Sequence, residues 1–139
     1  MVARQVDTDI RAANEQFYDA FRNGDFPLMD ALWSRRRKVS VLHPEWIAIE
    51  GRDDVMASWY QVLVLSEPPN VRPRHVSIIR SRKMAMVVCT EEVDLGEMVA
   101  TNVFVQEEGM WLLVHHQATP LPSESDETTE DGDGEADEM

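Results

Sequence analysis

Three side chains able to take or give a proton near neutrality stand at informative places in this sequence. His43 directly precedes Pro44 at the end of a short β-prone run, and the adjacent pair His115 and His116 lies near the end of another. An imidazole with its ordinary pKa of about 6.5 suits general acid/base work. Successive strand residues face opposite sides, so only one of His115 and His116 can face the same interior as His43, and the sequence does not choose between them. The same rule groups Asn102 with Ala100 and Phe104, and Glu92 with Val88 and Thr90. A buried Asn102 must be hydrogen-bonded, as a structural clasp or as a ligand contact. A pocket holding His43, His116 (or His115), and Asn102 or Glu92 would support proton transfer next to a carbonyl, or a dehydration. The competing reading of His43 is structural, a hydrogen bond to a neighbouring element that orders the loop to Trp46.

Other chemistry is less well supplied. Adjacent histidines diverge, whereas zinc ligands from one strand need alternate positions and a third partner, so no metal is expected, and no motif calls for a cofactor. Phe17, Trp46, Trp59 and Phe104 are candidates to line an apolar pocket, although aromatic residues at such spacing more often fill a core. Cys89, the only cysteine, lies in an apolar run and reads as a small buried hydrophobe. The basic run Ser34-Arg35-Arg36-Arg37-Lys38 reads as a solvated turn, with docking of an acidic segment as the alternative.

The elements that must position these residues follow from periodicity. Ile10, Ala13, Phe17, Ala20 and Phe21 recur at three- and four-residue spacing, which predicts a helix over about Asp7 to Asn23 ended by Gly24. Asp25 is an N-cap for a short second helix with Pro27 in its first turn and Leu28, Met29 and Leu32 inward. A third helix follows Gly51, with Asp53 and Asp54 at its positive end and Val55, Met56, Trp59 and Val62 or Leu63 on its apolar side; Pro68 and Pro69 follow it. Val39 to His43 forms a short strand. After Pro69 the period changes, and Val71–Ser81, Met84–Leu95, Met98–Gln106 and Met110–Thr119 read as four meandering strands with Gly96 and Gly109 in two bends. The middle strands are apolar on both faces, so each face needs a cover. Helices supply one, and a second subunit is the simplest cover for the other.

At 139 residues the chain fits a single domain with its own core. Its formal charge is −13, but Ser123 to Met139 holds nine of the 26 acids and no base, leaving 17 acids against 13 bases, or −4, before it. The division expected is a domain over residues 8–120 and a disordered acidic tail over 121–139, since the tail has too little apolar surface to offset the entropy of ordering. Without a basic face, nucleic-acid binding is disfavoured. Met1 to Asp9 lacks the apolar core of a signal peptide, and no apolar stretch approaches a membrane span, so a cytoplasmic protein without membrane contact is expected.

Three helices, then a sheet, with a short strand inserted before the third helix, resembles the SnoaL-like group of the nuclear transport factor two-like superfamily, which includes ketosteroid isomerase-like members. The residues that carry the likeness are Phe17-Tyr18-Asp19-Ala20-Phe21 before Gly24-Asp25, Val41-Leu42-His43-Pro44-Glu45-Trp46, Gly51 opening a helix with Ser58-Trp59, Asn102-Val103-Phe104, Gly109-Met110-Trp111 and His115-His116-Gln117-Ala118-Thr119-Pro120. The resemblance implies an α+β fold, a cone-shaped curved antiparallel sheet packed against three N-terminal helices (a cystatin-like roll), a pocket between helices and concave sheet, and commonly a homodimer through the sheet. It also implies that His43 replaces a carboxylate base of the isomerase-like relatives, while Phe17 stands where those relatives place a tyrosine donor and Tyr18 points elsewhere. It implies no single reaction, because such folds host isomerases, cyclases, dehydratases and non-catalytic proteins. The expectation is therefore a protein that binds a small organic molecule in an apolar pocket, as an isomerase, cyclase or dehydratase acting by acid/base proton transfer. The alternative is a non-catalytic homodimeric association module with a filled or vestigial pocket.

Overall fold

The structure, a computed structural model, describes residues 2–122, with side chains from residue 4 onward; the acidic tail expected beyond lies outside the described residues. Helices α1 (Val2–Asn23) and α2 (Phe26–Ala31) are followed by strands β1 (Ser40–Leu42) and β2 (Ile49–Glu50), helix α3 (Arg52–Leu63), and the long strands β3 (Val71–Arg80), β4 (Met84–Val93), β5 (Gly96–Glu107) and β6 (Met110–Pro120). They form one six-stranded sheet in the order β2-β1-β6-β5-β4-β3. The fold is α+β, as expected. Two details differ from the sequence reading. Helix α1 starts at Val2 rather than near Asp7, and β2 pairs with β1, while β1 runs parallel to β6 in an otherwise antiparallel sheet.

Local chemistry sets the boundaries. Gly24 takes φ +63, where a side chain would be strained, and a Cβ there would stand 2.9 Å from Pro68 Cγ and 3.0 Å from the Leu63 carbonyl oxygen, so the end of α1 closes onto the end of α3. Asp25 caps α2 by accepting from the Leu28 amide at 3.1 Å. Arg52 fastens the start of α3 to the end of α2: its guanidinium donates to the carbonyls of Asp30, Trp33 and Ser34 and to the Asp30 carboxylate at 2.7 to 3.1 Å.

The helices lie against one face of the sheet. Ile10, Phe17, Tyr18 and Phe21 of α1 and Val55, Trp59 and Leu63 of α3 are buried against Val71, Ala85, Val87, Cys89, Ala100, Phe104 and Leu113. On the opposite face Met86, Val88 and Val103 are only half-buried, and Ile79 and Met84 are exposed.

Strand β6 departs from the expected alternation. Val103 pairs with His115 but Phe104 pairs with Leu113, so Val114 is an extra residue in a β-bulge. Strict alternation would put Leu113 and His116 on opposite faces. With the bulge, Trp111, Leu113, His116 and Ala118 are all buried on the inner side. His115 is turned to the outer side, where its ring meets Ser40 Oγ and Gln117 Oε1, each at 2.7 Å.

Candidate functional site

A cavity of about 200 Å³ opens between the strand ends and the helices, walled by Phe21, Trp46, Val62, Val71, Val93 and Met98 together with two prolines. Three polar residues interrupt this apolar wall: His43, Glu91 and His116.

His43 arrives at the end of β1, whose register with β6 sets Val41 beside His116. The turn that follows holds Glu45 in a left-handed conformation (φ 69) and is closed by the Trp46 amide donating to the His43 carbonyl at 3.0 Å. It folds Trp46 back over the imidazole, with ring centroids 4.8 Å apart, while Trp59 lies on another side at 4.7 Å. Ser58 donates to the Val55 carbonyl at 2.7 Å, so its oxygen accepts at 3.0 Å from His43 Nε2, leaving Nδ1 as the ring's acceptor. Burial among these groups pushes the His43 pKa down to about 4.

His116 is held from behind. Asn102 donates to Asn14 Oδ1 at 2.9 Å and to the Tyr18 oxygen at 3.1 Å, and its own Oδ1 lies 2.6 Å from His116 Nδ1. An amide oxygen can only accept, so Nδ1 carries the ring proton and Nε2 is bare. Complete burial, then His43 and His115, hold His116 well below its ordinary pKa and hence neutral.

Glu91 comes from β4 on the face of Ala85, Val87 and Cys89. Its Oε2 accepts from the Tyr18 hydroxyl at 2.7 Å and sits 3.9 Å from His116 Nε2. Burial raises its pKa to about 7, against the opposing effect of the Tyr18 bond. Tyr18 itself is raised well above its usual value by burial and by Glu91 and Cys89, so it stays a hydroxyl and a donor. Among the described residues the only fully enclosed side-chain polar atom without a hydrogen-bond partner is Trp59 Nε1. Glu91 Oε1, His116 Nε2 and His43 Nδ1, which have no hydrogen-bond partner either, are therefore the atoms these residues open to the cavity.

The candidates read from the sequence divide accordingly. His43, His116 and Trp46 meet at the cavity, and Asn102 stands one layer behind His116. Phe17, Trp59 and Phe104 are buried core residues outside the cavity lining, Phe17 packing edge-on against Trp59. Glu92 is corrected to the opposite face, where it pairs with Arg74 at 2.9 Å; the inward carboxyl is Glu91, because the buried set of β4 runs through the odd positions. Tyr18, expected to point elsewhere on the helix than Phe17, is itself buried: Asn14, Tyr18 and Phe21 continue the buried stripe of α1. Asn14, Tyr18 and Glu91 were missed, although strand alternation from Val87 and Cys89 points to Glu91 and helical spacing from Ile10 points to Asn14 and Tyr18. Among the described residues no group of three or more His, Cys, Asp or Glu is placed to hold a metal ion, and no helix is long and apolar enough to cross a membrane. The basic run is internally paired: Arg35 with Asp30, Arg36 with Glu108, Arg37 with Glu107 and Lys38 with Glu50.

Known structures share this architecture. A proposed dehydratase of the NTF2-like family from Streptomyces avermitilis is 28% identical, with a TM-score of 0.78 over 86% of this chain and 99% of that one. A proposed calcium/calmodulin-dependent protein kinase type II association domain from Thiobacillus denitrificans is also 28% identical, with a TM-score of 0.73 over 81% and 94% of the two chains. A cystatin-like fold protein from Nostoc punctiforme shares the fold at 14% identity, with a TM-score of 0.71 over 84% and 92%. The F-box protein SKIP8 of Arabidopsis thaliana is 25% identical over 114 residues, which are 81% of this chain, and the chain spans about half (49%) of that protein's length. Residues 10–122 match the family model of the SnoaL-like domain, and the chain belongs to that family, within the NTF2-like superfamily.

Proposed function

We propose that this protein binds a small organic molecule in the cavity at His43, Glu91 and His116 and moves a proton on it by general acid/base catalysis. The observation that carries this reading is the meeting of three titratable groups, each with an atom free of protein partners, in one otherwise apolar cavity. Glu91 ionises at about 7, so near neutrality it can hold or release a proton. Its Oε2 is occupied by Tyr18, which leaves Oε1 as the oxygen that carries the proton toward a ligand. His116 Nε2, 3.9 Å from that carboxyl, is the complementary acceptor. An acid and a base side by side suit removal of a proton beside a carbonyl with return of one elsewhere, or loss of water from a hydroxyl-bearing ligand, the reaction class in the name of the Streptomyces relative.

The test is solvent-deuterium exchange at the α-carbon of cyclohexanone, followed by NMR. The wild-type protein should accelerate exchange above buffer, and Glu91→Gln and His116→Ala should each lower that acceleration by about a hundredfold, the low end of what a positioned acid or base supplies. Exchange no faster than buffer, or unchanged in both variants, would remove the catalytic reading.

The half-buried Met86, Val88 and Val103 on the outer sheet face support a second element of the proposal, a homodimer formed through that face. It is compatible with catalysis. In a non-catalytic association module this face would be the working surface and the cavity a remnant.

A further inference from the structure

The ring hydrogens of both cavity histidines are used behind them. Both hydrogens of Asn102 Nδ2 go to Asn14 and Tyr18, at 2.9 and 3.1 Å, so the 2.6 Å contact to His116 is donated by the ring and its cavity nitrogen is bare. The Ser58 hydroxyl commits its hydrogen to the Val55 carbonyl at 2.7 Å, so the 3.0 Å contact to His43 is likewise donated by the ring, and the second cavity nitrogen is bare too. Glu91 and the indole N–H of Trp46 are the remaining polar groups, and among the described residues no lysine or arginine lines the cavity.

Resting on the reading of this cavity as the working site, we infer that it selects small uncharged molecules that bring a hydroxyl hydrogen, an alcohol or enol on an apolar frame, and that Asn102 and Ser58 impose this choice by fixing the two imidazole tautomers. A hydroxyl offers its hydrogen to a bare imidazole nitrogen and an oxygen lone pair to Glu91 when that carboxyl carries its proton. A carboxylate or phosphate would set its lone pairs against two bare nitrogens, and would exchange its hydration for at most two neutral donors with no cation among the described lining residues. An ammonium would find acceptors, but would have to leave water for an apolar chamber and, below about pH 7 where Glu91 carries its proton, ionise Glu91 to obtain a counter-charge. The polarity of the site is thus written in residues that do not touch the ligand: Asn102 and Ser58 are positioning residues, and the imidazoles they orient make the contact.

Three probes with one frame and different heads separate the outcomes: benzyl alcohol, benzylammonium and benzoate, titrated into the full chain near pH 6, where Glu91 carries its proton, while the ring resonances of His43 and His116 are followed by NMR. Benzyl alcohol should bind about tenfold more tightly than either ion. Benzoate or benzylammonium binding as well as the alcohol would overturn the inference and leave the cavity a ligand site. If no probe moves either histidine, the reading of the cavity as a site falls, and the inference with it. The ¹⁵N resonances of the unsubstituted protein give a second check without any variant: His116 should be protonated on Nδ1 and His43 on Nε2, and either opposite tautomer overturns the lock. Ser58→Ala, which frees the His43 ring to turn, should reduce the preference for the alcohol at least about threefold; an unchanged preference would remove Ser58 from this role.

Discussion

Tyr18 and Glu91, 73 residues apart in sequence, meet at 2.7 Å inside the protein, the phenol hydroxyl donating to one carboxyl oxygen. The bond favours the ionised carboxylate and so works against the burial that raises Glu91 to about 7. Tyr18→Phe should therefore move the Glu91 ionisation above 7, read from the ¹³C carboxyl resonance against pH. It should also cost about 1–3 kcal/mol of stability, because Asn102 loses an acceptor in a buried place. A Glu91 titration unmoved or lowered in Tyr18→Phe would contradict this account.

Glu91 also shapes stability against pH. Its folded pKa, about 7, exceeds the ordinary 4.5, so between these values the folded state binds more protons than the unfolded chain. Stability from this group is complete below pH 4.5, declines as pH rises, and is lost above about 7. Facing it are Tyr18 from α1, the neighbouring Cys89 and His116 from β6, none of them cationic near neutrality. Glu91→Gln should accordingly be more stable than wild type at pH 8, by something on the order of 3 kcal/mol before the altered hydrogen bond is counted, and gain nothing at pH 4.5. Urea denaturation at the two pH values decides it.

His43 works in the other direction. Its folded pKa of about 4 lies below the ordinary 6.5, so the unfolded chain binds the proton first and stability falls as pH drops from 6.5 towards 4. His43→Gln should flatten that acid limb by up to about 3 kcal/mol. Between pH 4.5 and 6.5 the Glu91 and His43 contributions have opposite slopes and offset each other in the wild type. Only the single variants, measured by thermal melts across this range, will show the two slopes apart.

The proposed dimer gives a prediction independent of the cavity. Val88 lies in β4 on the face away from the helices, paired with Thr101 of β5. Val88→Glu should convert a dimer to a monomer in analytical ultracentrifugation, since a carboxylate there would be buried without a partner. A dimer that persists would place the interface elsewhere.

Much of the fold was legible because its signals are local. The stripe of Ile10, Phe17 and Phe21, the cap at Asp25 and the glycine at position 24 mark α1 and α2 without reference to the rest of the chain. The site was less legible, because it depends on which face of a strand is inward, and alternation defines two faces without naming the buried one. That ambiguity placed Glu92 in the pocket instead of Glu91, although Cys89 two residues earlier shares the correct face. The bulge was not legible at all. Nothing local to Val114 announces an extra residue; it arises from the register that Val103 and Phe104 impose across the ladder. The inward place of Tyr18 was also easily missed, because the neighbouring Phe17 already supplies the apolar stripe; the structure shows both side chains buried.

The bulge at Val114 divides β6 into two stretches that run out of phase. One stretch, through Trp111 and Leu113, keeps its inner residues for the core; the other, through His116 and Ala118, keeps them for the cavity end. The bulge therefore works as a phase corrector, absorbing the one residue by which the two stretches would otherwise disagree. Strict alternation from Leu113 with Val114 kept would turn His115 inward and His116 outward, whereas deleting Val114 would give an unbulged ladder with His116 still inward, so the imidazole presented to the ligand depends on the bulge and its residue being kept or lost together.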